Sequence, residues 1–368
     1  MATGVLTLVA GVATGGGAAR AAVSGSAPAA ARPQSTSYVT AGNLNGVAAT
    51  AAGNAWAVGY SGAIGRSKTL ILHWNGKKWA PAAGFTPVAG VLTAIAAVSA
   101  SSAWAVGYTG SPSGTERTLL MHWNGKSWVT FNTPKPVSGG FSAVTATARY
   151  AWATGTTPVS SALIWHWNGK AWAKSATPSV PGGIALQAIA ATSADNAWAG
   201  GLGSLNTQIS DVLLRWNGKS WSKVSFPMAG VYHYLDGIAA GPKGTAWAVG
   251  YNAGGIESKT LAMYWNGRAW SESSGQVAGN FNAVAPVPGG TAWAVGTASF
   301  PSGVSSATVV ERWTGKTWSK VASPILKSGG QLSAVAAAST GSAWAVGFTG
   351  LLSEQTLIMH WNGKTWTT

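Results

Sequence analysis

Three tryptophans recur at fixed offsets in seven successive units, and this repeat constrains the fold more than any other feature of the chain. Past residue 40, each unit spans 46–51 residues, with one tryptophan in an "AWA" phrase and two that bracket a short turn, as in "HWNGKTW" at 360–366. Only Trp165 stands outside the pattern. Repeats of this length predict an array of identical supersecondary units whose hydrophobic faces are buried against one another.

Each unit divides into four short β segments. In the first unit these are "LNGVAAT", "AWAVGY", "TLILHW" and "KKWA". Asn75-Gly76 joins the last two, and we expect a two-residue hairpin turn with positive φ at both positions. Glycine holds the second turn position in all seven units, and the sixth uses Thr314-Gly315.

The four-segment repeat predicts an all-β fold, a seven-bladed β-propeller with four antiparallel strands per blade. The domain covers residues 36–368, with blades that start near residues 44, 91, 140, 184, 234, 280 and 331. Side chains alternate along a strand, so Trp56 and Val58 share one face while Ala55 and Ala57 share the other. We expect each bulky face to pack against the shallow face of the next blade, which would close a ring without the polar end caps of a solenoid.

Composition limits the chemistry. Only 8% of the residues are charged, against about 25% in an average domain. The chain has no cysteine, which excludes disulfides, cysteine-ligated zinc and thiol catalysis.

The N-terminal 35 residues predict a signal peptide and a linker. An apolar stretch at 5–13 is followed by Ala19-Arg20-Ala21, a small-x-small cleavage site, and by an Ala/Pro/Ser-rich segment at 22–35. The stretch is shorter than the roughly 20 residues of a membrane span. We therefore predict a secreted, extracellular protein without a transmembrane segment. The segment "STSYVT" at 35–40 is a candidate for an added outer strand.

The turn motif "WNGKTW" resembles the Asp-box, Ser-x-Asp-x-Gly-x-Thr-Trp, of sialidase propellers, with asparagine or threonine at the aspartate position. The repeated sequence pattern "AWAVG…HWNGKxW" over 44–368 resembles that of secreted Trp-rich propellers of high-GC bacteria, and more distantly that of kelch and galactose-oxidase propellers. In sialidases the box is a turn device away from the active site, so the resemblance implies a fold and not an activity.

The variable loops predict where recognition occurs. The joins between the second and third strands (B–C) differ in every blade, whereas the C–D turns are constant and the A–B joins are short. Variable loops on a rigid scaffold commonly carry specificity. We expect the face formed by the B–C and D–A joins to be the recognition face; the alternative is neutral drift of the loops.

A polar residue recurs at the start of each innermost strand. These residues are Asn45, Thr93, Ser142, Gln187, Asp236, Asn282 and Ser333. They are predicted to surround the mouth of the central channel, either as a site for a small polar ligand or as hydrogen bonds that join adjacent inner strands.

One cluster of aromatic and acidic residues is a candidate ligand site. It comprises Tyr232, His233, Tyr234, Asp236, Asp211 and Glu257. Aromatic rings beside carboxylates suit a sugar, and two carboxyls could also serve as a general acid and base.

Other residues are interpreted as structural. His73, His122, His166 and His360 precede the second tryptophan in four blades and lie too far apart in a ring to share a metal ion. Seven basic residues follow the turn glycines and form a crown on the C–D face; they are Lys77, Lys126, Lys170, Lys219, Arg268, Lys316 and Lys364. The net charge of +15 attracts anionic polymers such as teichoic acids.

The residue inventory favours a binding or scaffold module over an enzyme. The cysteine of galactose oxidase and the arginine cluster of sialidases are absent, and no Ser-His-Asp arrangement is evident. We expect no cofactor, no metal, no catalytic residues and no specific nucleic acid. The predicted protein is a monomer whose partner is a glycan, a cell-wall polymer or a secreted or surface protein. The alternative is a carbohydrate-active enzyme, a glycosidase or lyase, with a site near Tyr232–Asp236.

Overall fold

The computed structural model describes most of the chain beyond residue 37. The described ranges are 38–63, 65–110, 116–131, 138–159, 161–180, 182–205, 208–225, 233–255, 257–273, 277–298, 307–350 and 353–368. The predicted signal peptide and linker, residues 1–35, lie outside the described residues. Within these ranges, no helix has both the length and the apolar character needed to cross a bilayer.

The described residues form seven four-stranded antiparallel sheets, each with strands A, B, C and D side by side in chain order. Strands A are Gly42–Ala51, Val91–Ser99, Gly140–Ala146, Ile184–Ser193, His233–Ala240, Gly279–Val287 and Gly330–Ser339. Strands B are Asn54–Ser61, Ser102–Thr109, Ala151–Thr156, Asn196–Leu205, Ala246–Asn252, Thr291–Ala298 and Ser342–Thr349. Strands C are Lys68–Trp74, Arg117–Trp123, Ala162–Trp167, Gln208–Trp216, Lys259–Trp265, Ala307–Trp313 and Gln355–Trp361. Strands D are Trp79–Pro81, Trp128–Thr130, Trp172–Lys174, Trp221–Lys223, Trp270–Glu272, Trp318–Lys320 and Trp366–Thr367.

The seven sheets are the blades of a closed ring, as the repeat predicts. Each strand A contacts strand A of the next blade, and the first contacts the last. A 3₁₀ turn at Pro242–Gly244 joins strands A and B of blade 5 and is the one helical segment among the described residues.

The packing between blades follows the alternation of large and small side chains in strand B. Trp56 and Val58 lie in one core cluster with Ala103 and Ala105 of the next blade. At ring closure, Trp344 and Val346 pack in the same way against the alanines of blade 1. The seven strand-B tryptophans are at most 4% exposed. Each buried indole removes ~150–250 Å² from water, which stabilises the fold by up to ~4–6 kcal/mol.

The turn-bracketing tryptophans complete this packing from the neighbouring blade. The Trp56 ring centroid lies 5.0 Å from that of Trp123 and 5.3 Å from that of Trp128. The same three-ring contact joins blades 2 and 3, through Trp104, Trp167 and Trp172. Tryptophans that are far apart in the repeat are therefore brought together at the blade interface.

The C–D hairpin differs from the predicted two-residue turn. Trp74 pairs directly with Trp79, which leaves four residues in the loop. Gly76 has a φ of +88°, and Asn75 is not among the described residues with positive φ. The Asn75 side-chain oxygen instead accepts hydrogen bonds of 3.0 Å from the backbone N–H groups of Lys77 and Lys78. The prediction of positive φ at both positions was wrong because asparagine closes this loop with its side chain, as in an Asx turn.

The chain closes the ring with the segment that precedes strand A of blade 1. Ala41 forms an antiparallel bridge with Gln355, and the Thr356 N–H donates to the Thr40 carbonyl oxygen at 2.9 Å. The D–A connection of blade 1 makes the equivalent bridge, between Lys68 and Ala89. The described part of the "STSYVT" segment therefore takes the place of a D–A connection. It is not an added outer strand, because it passes the start of strand C of blade 7 on its way to strand A of blade 1.

Glu311 interrupts the apolar core between blades 5 and 6. It follows Val309 on the face of strand C that packs against Trp247. The same position in the other blades holds Leu72, Met121, Trp165, Leu214, Met263 and Met359. Glu311 is 1% exposed, and its Oε2 atom has no hydrogen-bond partner among the described residues. Burial raises the pKa of this carboxyl above its usual 4.5, and the charge of Lys320 partly opposes the rise.

We predict that Trp247→Ala lowers the free energy of unfolding by about 3–5 kcal/mol, because it leaves a cavity where an indole fills the interface between blades 5 and 6. Urea denaturation followed by circular dichroism measures this loss. The control is Ile325→Ala, since Ile325 is 98% exposed and its truncation costs less than about 0.5 kcal/mol. Equal losses in the two variants would contradict the packing described above.

We also predict that Glu311→Met stabilises the protein at pH 8 by about 1–3 kcal/mol, the cost of an unpartnered buried acceptor. An acid whose pKa is raised on folding binds its proton more tightly in the folded state, so stability falls as pH rises from 4.5 through the folded pKa. Denaturation at pH 4, 6 and 8 should therefore show a gain that is smallest at pH 4 and grows with pH. The exposed Glu257→Gln serves as the control, and a gain independent of pH would refute this account.

Candidate functional site

The seven polar residues of the inner strands line one cavity at the centre of the ring. The cavity has a volume of about 220 Å³. The seven residues are Asn45, Thr93, Ser142, Gln187, Asp236, Asn282 and Ser333. Every blade thus contributes one hydrogen-bonding side chain to a common space.

A β-bulge places each of these polar residues in the cavity. In blade 5, Leu235 pairs with Gly250 and Gly237 with Val249, which leaves Asp236 unpaired between them. The register of strands A and B shifts at the same point in all seven blades. The extra residue of a bulge is re-aimed relative to its neighbours. The bulge therefore lets the residues on either side pack in the core while the polar side chain faces the channel.

Three of the seven polar residues join adjacent blades by hydrogen bonds. Asn45 donates to the Leu92 carbonyl oxygen at 2.9 Å, Thr93 donates to that of Phe141 at 2.8 Å, and Asn282 donates to that of Leu332 at 2.7 Å. These contacts match the structural alternative for the polar positions. No such bond to a described carbonyl is found for the remaining four, which include Asp236.

Asp211 and Asp236 form the acidic sector beside the cavity, and of the two only Asp236 lines it. The Leu235 N–H donates to Asp211 Oδ1 at 2.9 Å, whereas Asp211 Oδ2 is buried without a hydrogen-bond partner among the described residues. Burial raises the pKa of Asp211 to about 7 against the effect of the Leu235 bond. Burial, and then the charge of Asp211, raise the pKa of Asp236 to about 7. Near neutral pH the two carboxyls are therefore poised between protonated and ionised forms.

Two stacked tyrosines adjoin the acids. Tyr234 of strand A pairs with Tyr251 of strand B, and their rings lie parallel with centroids 4.7 Å apart. Burial and the charge of Asp236 raise the pKa of Tyr251, with smaller contributions from Tyr234 and Asp211. The Tyr251 hydroxyl is a further hydrogen-bonding group near these carboxyls.

The structure separates His233 and Glu257 of the predicted cluster from this sector. His233 is 8% exposed and does not line the cavity, and its side chain alternates with that of Tyr234 along strand A. Burial lowers the pKa of His233, opposed by the charge of Glu272. Glu257 is exposed in the B–C loop and does not line the cavity. Tyr232 lies outside the described residues.

The sequence reasoning missed Tyr251 as a site residue. Tyrosine ends the phrase "AWAVGY" in blades 1, 2 and 5, at Tyr60, Tyr108 and Tyr251. Tyr60 also makes a polar contact, since its hydroxyl donates to Glu354 Oε2 at 2.6 Å across the closure of the ring. A tyrosine at the loop end of strand B, opposite an acidic loop residue, is the signal that could have identified these contacts.

The histidines that precede the second tryptophan pack as aromatic groups. His73, His166 and His360 each stack on the strand-B tryptophan of their own blade with centroids 4.0 Å apart. Burial lowers the pKa of all three. In the part of the chain that the structure describes, no three His, Cys, Asp or Glu side chains form a group that could hold a metal ion.

Comparison with known proteins supports the fold. No family model matches the chain, and no curated protein sequence matches it. It is similar to a structure of YCF48 bound to D1 peptide, with a TM-score of 0.57 and 16% identity over 87% of this chain and 92% of that one. It is also similar to YCF48 from Cyanidioschyzon merolae, with a TM-score of 0.54 and 17% identity over 86% of this chain and 96% of that one.

A third similar structure is the β-propeller domain of the Trilobed protease from Pyrococcus furiosus. Its TM-score is 0.57, with 8% identity over 90% of this chain and 96% of that one. Identities this low show a shared propeller fold and leave the function to be argued from the site.

We predict that Asp236→Asn flattens the pH dependence of stability between about pH 4 and 7. Because folding raises the pKa of Asp236 from 3.8 to about 7, the folded state binds the proton more tightly and stability falls as pH rises through this window. Urea denaturation at several pH values measures the slope. Asp195→Asn, at an exposed position, is the matched control. An unchanged slope in Asp236→Asn would show that folding does not raise the pKa of Asp236.

Proposed function

We propose that the protein is a binding module that recognises a protein partner through its B–C/D–A face. A lysine or arginine side chain of the partner enters the mouth of the central cavity and pairs with Asp236, which lines it, and with the adjoining Asp211. The observation that carries the proposal is the buried Asp211 Oδ2 atom, which lacks a partner among the described residues and belongs to a sector that contains a second half-buried carboxyl.

A cationic group suits this sector for electrostatic reasons. Two neighbouring carboxyls cannot both ionise cheaply in a half-buried site, so one retains a proton near neutral pH. A bound ammonium or guanidinium replaces that proton and donates charge-assisted hydrogen bonds. The chain as a whole carries a net charge of +15, so this acidic sector is a local group of acidic side chains in a positively charged protein.

The overall charge also indicates the kind of partner. A field of this sign attracts an acidic partner, on which one exposed basic side chain supplies the anchor. The similar propeller YCF48 has been solved bound to D1 peptide, which supports peptide binding as a function compatible with this fold. The apolar stretch at 5–13 and the site at Ala19-Arg20-Ala21 support an exported protein whose partner is secreted or surface-bound.

A glycan is the second candidate ligand, and the stacked Tyr234–Tyr251 pair favours it. Aromatic rings beside carboxyls suit a sugar, which presents an apolar face and several hydroxyls. The raised pKa values of Asp211 and Asp236 would also suit a general acid in a carbohydrate-active enzyme. We rank these below protein binding because none of the described residues that line the central cavity is aromatic, so the cavity itself offers no ring on which a sugar could stack.

We predict that immobilised peptides with a single central lysine bind the protein, and that matched norleucine peptides do not. Asp236→Asn and Asp211→Asn should each weaken binding at least tenfold, about 1.4 kcal/mol, because each removes one charge from the pair. Binding should strengthen from pH 5 to pH 8 as the carboxyls lose their shared proton. Biolayer interferometry at both pH values measures these effects, with Glu257→Gln as the control.

Other outcomes would identify the competing functions. Equal affinity for lysine and norleucine peptides would refute the proposal that a basic side chain of the partner is the anchor. Binding of neutral oligosaccharides that Asp236→Asn abolishes would establish the glycan candidate. Turnover of chromogenic glycosides that the same variant abolishes would show an enzyme.

A further inference from the structure

A second cavity lies between blades 2 and 3, away from the central channel. Its volume is about 270 Å³. It is lined by Ser102, Trp104, His122, Phe131, Thr147, Ala148, Arg149 and Trp167. The residues 147–149 form the A–B turn of blade 3, so the cavity lies on the A–B/C–D face, opposite the recognition face proposed above.

Three aromatic rings form the walls of this cavity. The centroid of Phe131 lies 5.4 Å from that of Trp104 and 5.3 Å from that of Trp167, and the two tryptophans are 5.3 Å apart. Trp104 is 4% exposed, whereas Phe131 and Trp167 are half-buried. The cavity therefore offers aromatic surface that the core has not covered.

Phe131 is particular to blade 2. Its backbone N–H donates to the Leu120 carbonyl oxygen, a bond that the residue after strand D makes in five other blades. Those residues are small or aliphatic: Ala82, Ser175, Val224, Ser273 and Val321. A phenyl ring at this position is not required by the repeat and adds a wall at one interface.

A wider A–B turn in blade 3 borders the cavity on the other side. In blade 2 the pairing of strands A and B continues to Ser99 and Ser102, whereas in blade 3 it stops at Ala146 and Ala151. In four other blades the tryptophan equivalent to Trp167 donates its indole N–H to the carbonyl oxygen of a turn residue, at 2.9–3.3 Å. Trp167 makes no such bond to the described turn 147–150, which leaves its N–H available to a ligand.

The charged part of the lining is basic. Arg149 is exposed. A Cβ atom placed on Gly169 would lie 3.5 Å from the Arg149 carbonyl oxygen. The A–B turn of blade 3 therefore lies beside the C–D turn that carries Lys170. The Ser102 hydroxyl lies 3.3 Å from His122 Nε2, and the Thr147 hydroxyl donates to the Tyr150 carbonyl oxygen. The lining includes no acidic residue among those described. One cation, the Trp167 N–H and an aromatic wall complement a ring with a carboxylate, an oxygen acceptor and an apolar face.

We propose that this cavity binds a carboxylate-bearing pyranose, such as a uronic acid unit of an acidic polysaccharide. The C–H face of the sugar packs against Phe131 and Trp167, and the carboxylate pairs with the Arg149 guanidinium. The Trp167 N–H donates to a ring or hydroxyl oxygen. The volume is close to the lower end of the roughly 300–1,000 Å³ of small-molecule pockets, which suits a single ring.

The test compares methyl β-D-glucuronide with neutral methyl β-D-glucoside by ligand-observed NMR titration of the full chain. We expect the glucuronide to bind at least fivefold more tightly than the glucoside. Arg149→Gln should abolish this preference while weak binding of both sugars persists. Phe131→Val should weaken both sugars at least fivefold, and it should preserve the fold because Val224 and Val321 occupy the equivalent position.

Arg268→Gln is the matched control, since Arg268 is exposed on the C–D turn of blade 5. A glucuronide preference that Arg268→Gln reduces as much as Arg149→Gln would overturn the site in favour of diffuse attraction to the basic face. Failure of both sugars to bind, or equal binding of both by the unmodified protein, would also overturn it. Asp236→Asn should leave this binding unchanged, which keeps the result independent of the proposed protein-binding site.

Discussion

The packing of a broad indole face on a shallow alanine face is the contact on which the rest of the structure depends. Strand B of each blade carries tryptophan on one side, followed by valine in five blades, and two alanines on the other side, so consecutive blades fit together only in one direction around the ring. Close approach within the blade has the same origin. A Cβ built on Gly59, for example, would lie 1.9 Å from the Asn43 carbonyl oxygen of strand A. A side chain there would force the inner strand away from the sheet.

The same packing explains why the centre of the ring is polar. Leu44 and Val47 of strand A are buried in the blade interface, and a bulge between them turns Asn45 towards the channel. Strand A can thus serve two environments at once, because the bulge breaks the strict alternation of faces. In most blades the residue at this position carries an amide or a hydroxyl group. Such a group can form hydrogen bonds with the neighbouring blade, or face the channel, without placing a charge there. Blade 5 instead carries Asp236, at the point where Asp211 of blade 4 replaces the threonine found at Thr69 in blade 1.

The sequence was sufficient to predict the architecture because every blade repeats the same packing solution. The spacing of the tryptophans and the four segments of each unit predicted the number of blades and strands, and the recurrent polar residue of each inner strand predicted the positions that line the channel. The turn geometry was not accessible in the same way, since Asn75 can support a hairpin either with positive φ or with its side-chain oxygen, and only coordinates distinguish the two. Tyr251 was missed for a related reason: its strand-B position looked like packing until pairing with Tyr234 placed it beside the acids.

Departures from the repeat are the physical basis for assigning function in this protein. A residue shared by all blades is explained by packing or by the turn, whereas a residue that replaces the shared type has no such explanation and often has a cost. Asp236 and Asp211 place two carboxyls where other blades hold neutral groups, and Phe131 exposes an aromatic ring where other blades hold a small side chain. Glu311 is a third departure, but it lies within a sealed apolar interface and lines neither cavity described above. An unusual residue therefore supports the proposal of a ligand site only where the structure also provides space beside it, as it does for Asp236 in the central cavity and for Phe131 in the cavity between blades 2 and 3.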